Sequence, residues 1–77
     1  MNVMLPMQIP DNVPFKNMFG GLRNKGVTNN QVAALLRCSN GTARNKLHGR
    51  TEISIDEALL IRETWFSGIP FEWLFQR

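Results

Sequence analysis

Residues 27–49 read VTNNQVAALLRCSNGTARNKLHG, and this stretch decides the fold of the chain. Thr28 and Gln31 have the spacing of a capping box, in which each side chain binds the other residue's backbone N–H at the start of a helix. Ser39 is a favoured N-cap residue, and Gly49 is the residue type that commonly follows the end of a helix. The stretch therefore predicts two helices in succession.

The two predicted helices differ in their apolar surface. The first carries a stripe formed by Val32, Leu35 and Leu36, with the small residue Ala33 beside it. The second is short and polar, and its apolar side chains are only Ala43 and Leu47, spaced i, i+4. The rest of its surface is therefore available to solvent or to a ligand. The connection at about Arg37 and Cys38 is as short as that of a helix-turn-helix.

A helix is predicted before this pair, from Phe15 to about Lys25, with Gly26 as its stop. Its apolar residues at helical spacing are Phe15, Met18, Phe19 and Leu22. Gly20 and Gly21 are unfavourable in a helix interior, so we expect another helix to approach closely there.

A longer helix is predicted after residue 53, because Ser54 and Glu57 form a second capping box and Gly68 follows its end. Its apolar stripe consists of Ile55, Ala58, Leu59, Ile61, Trp65 and Phe66. Arg62 projects from the middle of this stripe, and a buried charge must be paired. We therefore expect Arg62 to contact helix-end carbonyls or an acidic side chain, with Glu72 as the candidate.

A last turn or two of helix, residues 71–75, follows Pro70. We interpret the aromatic residues of this C-terminal part as mostly core and as partly a surface for a second subunit. These aromatic residues are Trp65, Phe66, Phe71, Trp73 and Phe75.

The composition excludes several classes of protein. A chain of 77 residues, of which 43% are apolar, suits one small folded domain and argues against intrinsic disorder. A single cysteine, Cys38, excludes a disulfide scaffold and a CxxC zinc site, and its position indicates a core residue. The chain has one histidine and neither paired carboxylates nor a glycine-rich phosphate loop. We therefore expect no enzyme, no cofactor, no metal and no small-molecule ligand.

No apolar run reaches the length of about 20 residues that spans a bilayer, and residues 1–9 lack the basic start of a signal peptide. We therefore expect no membrane association and a cytoplasmic location.

Charge is divided unevenly along the chain, whose net charge is only +3. Residues 15–50 contain no Asp or Glu and carry +7 through Lys16, Arg23, Lys25, Arg37, Arg44, Lys46 and Arg50. Residues 51–77 carry −3, from five acids against Arg62 and Arg77. A basic block of this kind favours a polyanionic partner through counterion release, although a solvated basic face is the alternative.

The chain divides into an N-terminal arm, residues 1–14, and a domain, residues 15–77. The arm has no Lys or Arg, and its prolines prevent a continuous helix. Its alternating apolar residues, Val3, Leu5, Met7 and Ile9, are compatible with an extended strand against the domain or a second subunit. A simple tail is the other interpretation.

The stretch 27–49 resembles the helix-turn-helix of the phage repressor and Cro-like family, and residues 15–75 look like its compact five-helix, lambda-repressor-like DNA-binding domain. Matching positions are the small Ala33, the apolar Val32, Leu36 and Cys38, and the inward-facing Ala43. Arg37 departs from the pattern, because the family favours a turn glycine there. Since Arg at positive φ is strained, we expect a turn of slightly different shape. Ala43 and Lys46 also stand where larger apolar residues are common, which predicts a lightly anchored second helix.

The resemblance implies which residues contact DNA, because the family inserts the second helix of the motif into the major groove. The residues that would face base edges are Asn40, Gly41, Arg44 and Asn45. Those that would hold the sugar-phosphate backbone are Asn29, Thr42, Lys46, His48, Arg50, Arg23 and Lys25. Thr42 also suits helix packing, and His48 also suits a helix cap.

The resemblance further implies a sequence-specific, double-stranded DNA-binding transcription regulator of phage or prophage origin. Such a regulator would act as a repressor that occludes a promoter, as a homodimer on a two-fold operator. The alternative is a protein-protein interaction module that keeps the fold and binds its partner through the apolar C-terminal segment and the N-terminal arm.

Overall fold

A computed structural model describes residues 13–77, and these residues form helices without any strand. The helices are α1 (Lys16–Asn24), α2 (Asn29–Leu36), α3 (Asn40–Leu47), α4 (Ile55–Trp65) and α5 (Phe71–Leu74). The predicted all-α class is therefore confirmed. α2 and α3 pack against each other, consistent with a helix-turn-helix. The interpretations of the arm up to residue 12 lie outside the described residues.

Local capping chemistry defines where α2, α3 and α4 begin. The Thr28 hydroxyl accepts from the Gln31 backbone N–H at 3.2 Å, and Gln31 Oε1 accepts from the Thr28 N–H at 2.8 Å. Ser54 and Glu57 repeat this pair at the start of α4, with distances of 3.1 and 3.0 Å. The Ser39 hydroxyl accepts from the Thr42 N–H at 3.0 Å. Each cap contributes about 1 kcal/mol, so all three predicted starts have a physical cause.

Apolar side chains from every helix meet in one core. Its members include Met18, Phe19, Leu22, Val27, Val32, Leu47, Ile61, Phe66 and Leu74. α3 contributes only Ala43 and Leu47, as its sequence predicts. Val13, in the predicted arm, is also buried, with 4% of its surface exposed. The core therefore reaches back beyond the first residue of the predicted domain.

Gly21 allows α1 to approach the end of α4 closely. A Cβ atom at this position would lie 2.6 Å from Cε1 of Phe66, closer than two carbon atoms can approach. The expectation of close packing at the α1 glycines is therefore confirmed at Gly21, where Phe66 occupies the space.

The turn between α2 and α3 keeps the left-handed shape despite having an arginine. Arg37 has φ 58° and ψ 47°, so the expectation of an altered turn is wrong. The Arg37 and Cys38 N–H groups both donate to the Ala33 carbonyl, the second at 3.0 Å, and this closes α2. The left-handed conformation costs an L-residue about 1–2 kcal/mol.

The apolar stripe of α4 is only partly buried. Ala58, Ile61 and Phe66 lie in the core, but Ile55 is 72% exposed and Leu59 is 39% exposed. Ile55 and Leu59, although members of the predicted apolar stripe, therefore lie outside the core. At about 100° per residue these two side chains share a side of α4 that turns away from Ile61.

Arg62 is half-buried and binds a carbonyl in the loop after α4. Its Nε donates to the Ile69 carbonyl oxygen at 2.6 Å. Of the two expected kinds of partner, the acidic side chain is wrong, because Glu72 is exposed and makes no ion pair with Arg62. A backbone carbonyl does bind Arg62, although it comes from the loop and not from a helix end. Gly68 takes φ 87°, and this reversal lets the chain return past α4 with the Ile69 carbonyl in reach.

Candidate nucleic-acid interface

The residues predicted to read bases share the outer face of α3. Asn40, Gly41 and Arg44 are exposed and Asn45 is half-buried, whereas the inner face is buried through Ala43 and Leu47. Asn40 and Arg44 are spaced i, i+4, so their side chains are neighbours on the surface. Within the described part of the chain, the Arg44 side chain has no ion-pair partner. Its guanidinium is therefore free to bind an external acceptor.

Gly41 has no structural reason to be glycine. A Cβ atom there would meet only the Ser39 hydroxyl, at 4.0 Å, and the residue has no positive φ. Glycine in a helix is less favourable than alanine by up to about 1 kcal/mol. The missing side chain at Gly41 therefore affects only the outer surface, where a ligand can approach the helix backbone closely.

A cationic cluster lies at the C-terminal end of α3 and joins it to α1. The His48 ring packs edge-on against Phe19, with centroids 5.4 Å apart. Arg23 Cζ lies 4.7 Å from the centroid of the same Phe19 ring. Burial, followed by the positive charges of Arg44, Arg50 and Arg23, lowers the pKa of His48 below its ordinary value. We call Arg23, His48 and Arg50 the α1–α3 cationic cluster; its charge comes from the two arginines, because the lowered pKa leaves the His48 imidazole a neutral hydrogen-bonding group at neutral pH.

The remaining predicted backbone contacts have different surroundings. Asn29 is half-buried at the first position of α2. The Thr42 hydroxyl accepts a hydrogen bond from the Ser39 hydroxyl at 2.9 Å, which agrees with its alternative role within the helix. Lys25 Nζ lies 5.6 Å from the centroid of the Phe66 ring.

Lys46 is held by the start of α4. Its Nζ lies 3.2 Å from Oε1 of Glu57 and donates to the Glu52 carbonyl oxygen at 3.2 Å. Burial raises the pKa of Glu57, but hydrogen bonds from the Ser54 backbone and Lys46 outweigh it, so the pKa lies below its ordinary value. The structure therefore gives Lys46 a role between helices, which competes with the predicted phosphate contact.

None of the helices within residues 13–77 has the length and apolar character needed to cross a membrane. The same residues contain no cluster of His, Cys, Asp and Glu side chains suited to a metal ion. The chain matches no protein-family model, no curated protein and no solved structure.

Proposed function

We propose that this protein is a sequence-specific double-stranded DNA-binding transcription regulator that inserts α3 into the major groove. The observation that carries the proposal is the outer face of α3. There, the polar side chains around Arg44 lead directly into the α1–α3 cationic cluster, and residues 15–50 contain no acid. A polyanion with readable hydrogen-bonding groups is the ligand that such a surface fits.

Each residue of this face has a chemical role in the proposal. Asn40 and Asn45 suit the N6 and N7 edge of adenine, and Arg44 suits O6 and N7 of guanine. Gly41 leaves room for a thymine methyl group or for close approach of the helix backbone. These contacts would make binding depend on sequence.

Contacts to the sugar-phosphate backbone fix the orientation of the duplex but do not distinguish its base sequence. In the proposal the α1–α3 cationic cluster and Lys25 bind phosphates near the end of α3. Asn29 and the free N–H groups at the start of α2 bind a second phosphate position. Thr42 remains a minor candidate, and Lys46 is left out because Glu57 holds it.

The resemblance to phage repressors extends the proposal to a cytoplasmic phage or prophage repressor that acts as a homodimer on a two-fold operator. Selection of bound duplexes from a random DNA pool tests both parts. An enriched palindrome is expected, and its affinity should fall steeply as salt increases. A pool that stays random after repeated rounds would overturn the proposed function.

A second candidate function, a protein-protein interaction module, is favoured by the surface beside α4. The exposed side chain of Ile55 borders an apolar groove of about 230 Å³ between α4 and α5. Its lining consists mostly of apolar residues: Phe15, Ile53, Ile55, Ala58, Phe71 and Phe75. In the DNA-binding proposal the same groove is the candidate contact for a second subunit. The second function would be favoured if no DNA is selected and if binding of a protein partner is lost when Ile55 is substituted.

A further inference from the structure

Arg37 stands out among the residues that take a left-handed backbone conformation. In the described range, positive φ occurs at Gly26, Gly49, Gly68 and Arg37. Glycine adopts this conformation without strain, whereas a residue with a Cβ atom does not. The chain therefore uses glycine at its other left-handed positions and accepts strain at this one.

No contact within residues 13–77 explains the arginine. The other arginine side chains of α1, α4 and the C-terminus have internal partners: Arg23 lies on Phe19, Arg62 binds the Ile69 carbonyl, and Arg77 lies on Phe15. Arg37 is exposed and has neither an ion-pair nor an aromatic partner there. The partial negative charge at the end of α2 favours a cation only weakly, because salt and solvent screen it.

The position of Arg37 relative to α3 indicates what its charge could contact. Arg37 precedes Asn40, the first residue of α3, by three positions, and Arg50 follows Leu47, its last residue, by three positions. An eight-residue helix is about 12 Å long, close to the width of about 12 Å of the DNA major groove. Cations thus stand at both ends of a helix whose length matches the distance between the groove's phosphate walls.

We propose that Arg37 is a phosphate-binding residue that holds one wall of the groove while the α1–α3 cationic cluster holds the other. This inference rests on the proposed DNA-binding function. It makes the strained turn part of the binding surface, because arginine supplies a positive charge there that glycine would not.

The test compares Arg37→Gly with Arg37→Lys on the duplex selected from the random pool and on a random duplex. Arg37→Gly removes strain and charge together, so its midpoint of thermal unfolding should rise by roughly 4 °C or more. Its affinity at 0.1 M salt should fall about threefold to tenfold on both duplexes, and the slope of log K against log salt should become shallower by about 0.9. Arg37→Lys should keep the slope of the unchanged protein.

Arg77→Gln is the control for loss of one positive charge, because Arg77 lies at the C-terminus over Phe15, and it should keep the slope. An Arg37→Gly variant that gains stability yet keeps affinity and slope would overturn the role of Arg37 alone. If the unchanged protein binds no DNA, the proposed function fails, and the role of Arg37 fails with it.

Discussion

At the scale of single residues, the outer face of α3 shows chemistry that the fold itself does not require. Gly41 lies in open space, and Arg44 points to solvent without an acidic partner among the described residues. Lys46, one helical turn from Thr42 in the same short helix, is bound to Glu57 instead. Substitutions at these positions therefore separate binding from stability.

Gly41→Ala should have opposite effects on folding and on DNA binding. The added methyl group fits without a clash and favours the helix, so stability should rise by up to about 1 kcal/mol. The same methyl group occupies the space proposed for the DNA, so affinity for the selected duplex should fall. Urea unfolding and fluorescence anisotropy measure the two quantities. Gly21→Ala is the contrasting control and should destabilise, because its Cβ would collide with Phe66. Unchanged affinity in Gly41→Ala would argue against close approach at this point.

Arg44→Ala should lose about 1–3 kcal/mol of binding free energy at one base position of the operator. A panel of duplexes with single base changes measures this, because the variant should no longer distinguish the base that Arg44 reads. Arg50→Ala is the matched comparison and should weaken binding to every duplex alike. If Arg44→Ala also weakens all duplexes equally, Arg44 contacts the backbone and does not read a base.

At the scale of helices, the starts of α2, α3 and α4 were predictable because capping is local chemistry. Thr28, Ser39 and Ser54 each bond to a backbone N–H three residues ahead, and sequence alone places those partners. For Arg62 the sequence indicated a carbonyl or an acid but not which group, because the Ile69 carbonyl comes into reach only after the chain turns at Gly68.

In the candidate site, too, some features follow from local sequence and others from the packing of distant segments. The predicted face of α3 follows from helical spacing. By contrast, the approach of Arg23 to His48 and the capture of Lys46 by Glu57 depend on how α1 and α4 pack against α3.

The ion pair between α3 and α4 should contribute stability that depends on pH. Lys46→Met should reduce the free energy of unfolding by up to about 1 kcal/mol at pH 7, since the pair is only partly buried. The pKa of Glu57 is lowered in the folded state, so this stabilisation is present above its ordinary value of 4.5 and is lost as pH falls through the folded value. Urea unfolding at pH 7 and pH 3 measures the difference. Lys16→Met, on an exposed part of α1, is the control. An equal loss at both pH values would show that packing of the Lys46 stem, and not its charge, is responsible.

At the scale of the whole molecule, charge and apolar exposure occupy different helices. Basic residues without acids span α1 to α3, whereas acids predominate from residue 51 onward, where α4 and α5 also expose Ile55, Leu59, Leu60 and Trp73. This segregation suits a protein that meets DNA with its first three helices and another protein surface with the last two.

The double variant Ile55→Asp, Leu59→Asp should prevent pairing of two subunits while leaving α3 intact. It should bind a single half-site as the unchanged protein does, but lose the gain of about a hundredfold or more that a palindrome gives two linked subunits. Sedimentation with and without DNA, together with titration of half-site and full-site duplexes, measures this. Leu60→Asp is the matched control, because Leu60 is also exposed but lies about 100° around α4 from Leu59. Pairing that survives the double variant would place the subunit contact elsewhere.

The small share of α3 in the core has a consequence for motion. With only Ala43 and Leu47 buried, α3 places fewer and smaller side chains in the core than α1, which buries Met18, Phe19 and Leu22. Segments with few buried contacts open locally at low free energy, and their amide hydrogens exchange with solvent before those of the rest of the fold. The amides of α3 should therefore exchange faster than those of α1, and a bound duplex should slow them most. Part of the free energy of DNA binding would then be used to keep α3 in its folded, hydrogen-bonded state.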